Sequence, residues 1–229
     1  MRAERIRPVT SRPDPWHQAF GEGLLTVDQN GQVSEPPQSG DTLADIRNIF
    51  VFDFEMSGPN PRVHELLDLG AVLAELRPGL PEANSYGSRV RPLRIGTANR
   101  GALRIVGYTA KEWRGAPDLE PVARKFFELG EAALPAGWGI GQDVRFMREL
   151  LQLLEIDWPF APVILDIQQL AKARLEGPDS PVDRFNLGHV ADRLGLGRLG
   201  EHSALADAYA AYDVLVKLLG PAESDEFGP

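Results

Sequence analysis

Hydrophobic positions change character along the chain. Up to about residue 46 they are scattered among prolines and glycines (Pro8, Pro13, Pro15, Pro36, Pro37, Gly21, Gly23, Gly40) and hold no helical period. One local signal interrupts this: in LLTVDQNGQVSE, the Asn30-Gly31 pair between β-prone residues predicts a hairpin turn. Residues 1–46 are therefore expected to form an extension on or beside the main domain, with no readable function. From Ile49 the pattern becomes regular. IFVFDF reads as a buried strand, and ELLDLGAVLAEL and SYGSRVRPL as two more, parted by the turn-rich RPGLPEAN. Helical spacing follows. EPVARKFFELG sets Val122, Phe126 and Leu129 near one face and stops at Gly130, while DVRFMRELLQLLE aligns Asp143, Met147, Leu150 and Leu154. APVILD reads as a strand running into the helix IQQLAKARLEG, with Asp166 as N-cap and Gly177 as its close. NLGHVADRLG, from Asn186 to Gly195, is another capped helix. The last helix, SALADAYAAYDVLVKLLGP, is expected to bury Leu205, Ala208, Tyr209, Tyr212, Val216 and Leu219 and to end at Gly220-Pro221. Three strands followed by helices alternating with strands predict an α/β domain with a mixed β-sheet over residues 47–220. The acidic residues 221–229 read as a tail.

Composition narrows the chemistry. The chain has 229 residues, 43% hydrophobic and 25% charged, which is ordinary for a soluble globular protein. It has no cysteine, so disulfides, thiolate zinc sites, cysteine-ligated iron–sulfur clusters and a cysteine nucleophile are all excluded. The N-terminal stretch lacks the apolar core of a secretory leader and no apolar run is long enough to span a bilayer. A cytoplasmic location without a membrane partner is the resulting expectation. The net charge of −9 argues against a protein that grips nucleic acid through a broadly basic surface. It leaves room for an enzyme that meets phosphates through bound divalent cations.

The candidate chemistry starts at VFDFEMSG, residues 51–58. In a strand, residues two apart share a face, so Asp53 and Glu55 project side by side. Like charges at that spacing raise each other's cost of ionising. A buried site therefore calls for a metal ion, an Arg or Lys, or a shared proton between them; an edge strand would instead leave both acids in water. Further on, Asp143 opens a helix whose inward stripe continues through Met147 and Leu150. In EHSALAD, His202 stands five residues before Asp207, too far round to share a face of one helix, so the imidazole is expected in the loop and Asp207 in the first turns. Asp53, Glu55, Asp143 and Asp207 offer only oxygen, which suits Mg²⁺ or Mn²⁺. Two such ions about 4 Å apart would clamp the attacking and leaving oxygens of a phosphodiester. A histidine, with an ordinary pKa of about 6.5, suits the general base that activates water.

These segments resemble the three motifs of the DEDDh family of 3′–5′ exonucleases, in the ribonuclease H-like superfamily. DFE at 53–55 resembles the first motif, DVRFM at 143–147 the second, and HSALAD at 202–207 the third, in order over roughly residues 48–220. Between the first two, ALRIVGYTAKEWRGAPDLEPVARKFFEL is similar to the family segment that bears on the substrate strand. The resemblance implies a ribonuclease H-like fold and metal-dependent release of nucleoside monophosphates from a single-stranded DNA or RNA 3′ end. It implies that Asp53, Glu55 and Asp207 share one of two divalent cations, Mg²⁺ or Mn²⁺, that Asp53 and Asp143 serve the second, and that His202 is the base. Met56 and Ser57 fall where the family contacts the 3′-terminal nucleotide. Phe146 is expected either to support that pocket or to pack the core, with packing favoured. Trp138 would stack on a base or fill the core. Gly139 stands where many relatives carry Asn, which leaves open which groups touch the nucleotide. The alternative from another class is a catalytically inactive module of the same fold that acts as a binding platform. Whether a homodimer or a partner subunit supplies a basic grip is open at this level.

Other signals carry less. GLGRLG, Gly195 to Gly200, satisfies G-x-G-x-x-G, but a helix ends at its first glycine where a dinucleotide site needs one to begin. His64 is expected to be exposed, His189 to be a surface or packing residue, and Ser203 to be no nucleophile.

Overall fold

A computed structural model describes residues 15–20, 23–27, 33–34, 43, 45–177, 180, 182–197 and 203–220. Its strands are β1 (Leu24–Val27), β2 (Val33–Ser34), β3 (Asn48–Met56), β4 (Leu66–Glu75), β5 (Glu82–Arg89), β6 (Leu134–Gly137) and β7 (Val163–Asp166). The helices are α1 (Pro15–Phe20), α2 (Arg100–Ile105), α3 (Ala110–Trp113), α4 (Leu119–Leu129), α5 (Gly141–Leu153), α6 (Ile167–Leu175), α7 (Leu187–Arg193) and α8 (Ala204–Leu219). All seven strands form one mixed sheet in the order β2-β1-β7-β6-β3-β4-β5. β3, β4 and β5 are antiparallel neighbours, whereas β6 and β7 run parallel to β3. β1 lies antiparallel to β7 and pairs on its far side with β2. The Asn30-Gly31 turn and the 221–229 tail lie outside the described residues.

The long apolar run of β3 follows from its central place, since a strand covered on both faces has no polar side. Ile49 and Val51 join a cluster with Leu170 of α6, Val190 of α7, and Val214 and Leu215 of α8. Phe50, Phe52 and Phe54 point the other way, onto Phe126 of α4 and Val144 and Met147 of α5. Phe126 meets each of those three rings at 4.9–5.6 Å between centroids, in edge or tilted arrangements. The sheet is thus layered between α6–α8 and α4–α5, an α/β architecture.

Two local expectations are revised. Of the expected stripe of α8 only Ala208 is fully buried; the buried face is Ala204, Ala208, Ala211, Leu215 and Leu218, and Leu205, Tyr209, Tyr212, Val216 and Leu219 are half-buried beside it. Small side chains let the helix sit close on the sheet, and the two tyrosines reach sideways instead. Tyr209 Oη bonds to Glu82 Oε1 (2.8 Å) and Ser85 Oγ (2.9 Å), and Tyr212 Oη donates to the Leu80 carbonyl (2.6 Å). Second, α6 stops at Leu175 with Glu176 already extended, short of Gly177. The stretch after β5 folds as two short helices, α2 capped by the Asn99 side chain and α3 by that of Thr109. Trp113 of α3 anchors this pair by donating its indole N–H to the Leu67 carbonyl (2.8 Å).

At the other end of the parallel strands the chain builds a crevice. β3, β6 and β7 all finish on one edge, where α5 and α6 begin; open α/β sheets bind their ligands at that edge.

Candidate active site

Strand alternation puts Asp53 and Glu55 on the α8 side of β3, continuing the row begun by Ile49 and Val51. Asp207 arrives from the first turn of α8, whose start is fixed by the Ser203 side chain accepting the Ala206 N–H (3.3 Å). Asp53, Glu55 and Asp207 each bring one carboxylate oxygen into a group whose members all lie within 4.8 Å of one another. Asp143 comes from the opposite layer. It is buried in the first turn of α5 and its Oδ1 accepts the N–H of Phe54 (3.2 Å), the residue between the two β3 acids. The four acids are therefore brought together from three separate elements. His202 lies outside the described residues.

The electrostatics of this cluster are unbalanced. Burial and the charges of Asp143, Glu55, Asp207 and Asp68 together push the Asp53 pKa well above the carboxylate range. Glu55 is raised to about 7, chiefly by burial and then by Asp207 and Asp68. Asp143 is raised by burial as well, against the hydrogen bond from Phe54. Among the described residues, the strongest charges acting on Asp53 are all negative. Oxygen-only donors, close spacing and mutual repulsion fit a hard divalent cation.

Beside the cluster, a cavity of about 210 Å³ is lined by Glu55, Met56, Pro59, Ala102, Ile105 and Gln142. Gln142 Nε2 approaches the Met56 sulfur at 3.5 Å, which ties α5 to the end of β3. Ile105 is 67% exposed at the rim. Ser57 is turned inward instead: its Oγ accepts the Glu65 N–H (2.7 Å) and it is 1% exposed, so it clips the turn after β3. His64 is packed, not exposed. Its ring occupies the space a Cβ on Gly58 would need (2.4 Å), and Gly58 has φ +156°. His189 pairs with Asp183 at 2.7 Å and does not join the carboxylates.

Phe146 is buried in the α4–α5 cluster, whereas Trp138, half-buried at the sheet edge, packs on the α6–α8 cluster. Gly139 has φ +60°, and its N–H donates to Asp166 Oδ1 (3.2 Å). That left-handed conformation is one that Gly and Asn visit more readily than other residues. Two further acids were not anticipated at the site. Asp68 of β4 faces Glu55 across the strand pair, and Asp166, besides capping α6, holds the Gly139 turn ahead of α5. A larger cavity of about 480 Å³ lies against α5 beyond the 57–65 turn, lined by residues such as Arg62, Leu93 and Leu150 and by none of the four acids.

A DNA polymerase III PolC-type of Thermotoga maritima is 28% identical over 170 residues, covering 74% of this chain and 12% of that protein. The DNA polymerase III subunit epsilon of Aquifex aeolicus is 24% identical over 169 residues, covering 74% of this chain and 79% of the subunit. The chain thus spans about an eighth of the PolC-type relative and most of the epsilon subunit. Among solved structures, the nuclease domain of 3′hExo, a DEDDh family member bound to rAMP, superposes with a TM-score of 0.60 at 20% identity, over 77% of this chain and 93% of that one. The exonuclease family model, RNase_T, matches residues 50–215, from the strand that carries Asp53 to the helix that carries Asp207. With most of its length inside that match, the chain belongs to the RNase_T exonuclease family.

Proposed function

We propose that this chain is a metal-dependent 3′–5′ exonuclease that hydrolyses the terminal phosphodiester of single-stranded nucleic acid and releases nucleoside monophosphates. The convergence of Asp53, Glu55 and Asp207 within 4.8 Å, with Asp143 bonded to the strand between the first two, carries this reading. Asp53, Glu55 and Asp207 would hold one Mg²⁺ or Mn²⁺, and Asp53 with Asp143 a second. When bound, the two cations supply the positive charge that offsets the phosphoryl oxygens and the leaving 3′-oxygen. The chain's own residues do the rest. The cavity between Met56 and Ile105 seats the terminal nucleoside, a small, largely apolar slot that suits one unpaired base. His202 takes the proton of the attacking water as its oxygen bonds to phosphorus. The P–O bond to the preceding nucleotide's 3′-oxygen breaks, and that oxygen takes up a proton, leaving a shortened strand and a 5′-monophosphate. The mononucleotide in the 3′hExo structure corresponds to such a product, and the polymerase relatives point to DNA where that structure holds a ribonucleotide.

5′-Labelled single-stranded DNA and RNA, incubated with Mg²⁺, Mn²⁺ or EDTA, test the proposal. A ladder shortening from the 3′ end is expected, absent with EDTA and in Asp53→Ala, and slowed roughly 10²–10⁴-fold in His202→Ala. The faster polymer names the substrate class. Normal turnover in both variants would overturn the roles given to Asp53 and His202, and none by folded wild-type protein with metal would overturn the activity and favour a binding platform.

A further inference from the structure

A fifth acid stands in this cluster without an assigned role. Asp68 lies on β4 directly opposite Glu55 and, on its other side, opposite Arg89 of β5. It is one of four buried polar or charged side chains among the described residues, 9% exposed. Adding a negative charge beside Asp53 and Glu55 raises the repulsion there, so its presence needs compensating contacts.

The charge of Arg89 is the larger of these, and the start of α8 supplies the other. Gly70 shares a strand face with Asp68, and a Cβ at Gly70 would lie 2.1 Å from the Leu205 nitrogen. The first turn of α8 therefore rests directly on β4 beside Asp68. The first N–H groups of a helix have no partner within it. Ser203 takes that of Ala206, and the backbone N–H groups of Ala204 and Leu69 are directed at the Asp68 carboxylate. Two side chains thus share the opening turn, and Asp207 lies in the same turn.

We infer that Asp68 is a positioning residue: its carboxylate holds the first turn of α8 on β4 and so fixes Asp207 against Asp53 and Glu55. It supports the cation site without being one of its ligands, its oxygens being directed at backbone donors. The inference rests on the reading of Asp53, Glu55 and Asp207 as one cation site.

The test compares Asp68→Asn with Asp68→Ala in the full chain. Asn keeps the shape and a neutral acceptor for the Ala204 N–H but drops the charge. Mn²⁺ binding to the substrate-free protein, followed by electron paramagnetic resonance, is measured beside kcat and KM on an oligonucleotide. Loss of a group that orients a metal ligand costs about 10–100-fold in affinity or activity. Asp68→Ala is expected to weaken Mn²⁺ binding and lower kcat by such a factor with KM little changed, and Asp68→Asn to stay within about threefold of wild type on every measure. Asn failing as badly as Ala would make Asp68 a ligand or a charge required for itself, and overturn the inference. So would Mn²⁺ binding and kcat at wild-type level in a folded Asp68→Ala. Should Asp68→Ala not fold, Asp68→Asn decides alone: binding near wild type sustains the role, and a loss comparable with that of Asp53→Ala overturns it. A wild-type chain that binds Mn²⁺ but degrades no nucleic acid would sink the exonuclease reading while the Mn²⁺ measurement still decides on Asp68.

Discussion

A carboxylate buried among other carboxylates keeps its proton to a higher pH than one in water, and that has a measurable consequence here. Glu55 is raised from 4.5 to about 7, and Asp53 and Asp143 are raised too. Between their ordinary and their folded pKa values the native state binds more protons than the unfolded one, so stability falls as pH rises through that window. With EDTA, the urea midpoint should accordingly be higher near pH 5 than near pH 8. Divalent cations bind the deprotonated acids, so added Mn²⁺ should raise the midpoint more at pH 8 than at pH 5 and close the gap. Equal midpoints with EDTA at both pH values would mean that the cluster is not strained without metal. The acids differed in how visible they were beforehand. Asp53 and Glu55 show themselves because strand alternation turns a two-residue spacing into a shared face. Asp68 does not, since LLDLGAVLAE is buried on both faces and only the pairing register sets it across from Glu55. Ser57 owes its burial to a similarly distant partner, Glu65, which returns to it after the turn.

Elements obey the same distinction between local and distant causes. The buried strand β3 and the caps Asp166 and Asn186 follow from neighbouring residues, and the structure has them as read. α8 could not be oriented that way, because apolar residues surround nearly its whole circumference. Size decided its orientation. Alanines face the sheet, allowing the close approach at Gly70, and bulkier Leu205 rests on Gly87 at the side. Enlarging the inward face should therefore cost more than trimming the outward one. Ala208→Leu is expected to lose about 1–3 kcal/mol by overpacking. It should also lower exonuclease activity at temperatures where the protein remains folded, because it lifts Asp207 with the helix. Tyr209→Phe removes only partly exposed hydrogen bonds to Glu82 and Ser85, worth about 1 kcal/mol, and should leave activity unchanged. Urea denaturation with parallel rate measurements separates the two. Equal effects from both variants would return α8 to the tyrosine-inward orientation.

At the scale of the whole molecule, the residues ahead of the family match alter the sheet itself. The match begins at residue 50, yet β1 pairs with Leu165, Ile164 and Val163 along the flank of β7 that β6 does not cover. Phe20, Leu24 and Leu43 are each at most 2% exposed and share a cluster with Ile49, Leu134 and Leu215. Arg174 of α6 binds this layer together, donating to the carbonyls of Ala19 (2.6 Å) and Leu218 (2.8 Å). Burial of a Phe or Leu side chain is worth about 1.5–3 kcal/mol, so the three together approach the whole stability of an ordinary domain, about 5–15 kcal/mol. An uncovered β7 would also present unpaired backbone groups, a template for association with other chains. Deleting residues 1–44 should therefore give a chain that aggregates or melts far below the full one, even though every acid of the site remains. Thermal unfolding and size-exclusion chromatography of the two proteins check this. A truncated chain that stays monomeric, melts with the full one and keeps its activity would show that the segment is an appendage which the exonuclease domain does not need. A truncated chain that fails would make it a covering layer through which the edge of the sheet, and with it the crevice where β7 ends and α6 begins, is held in place.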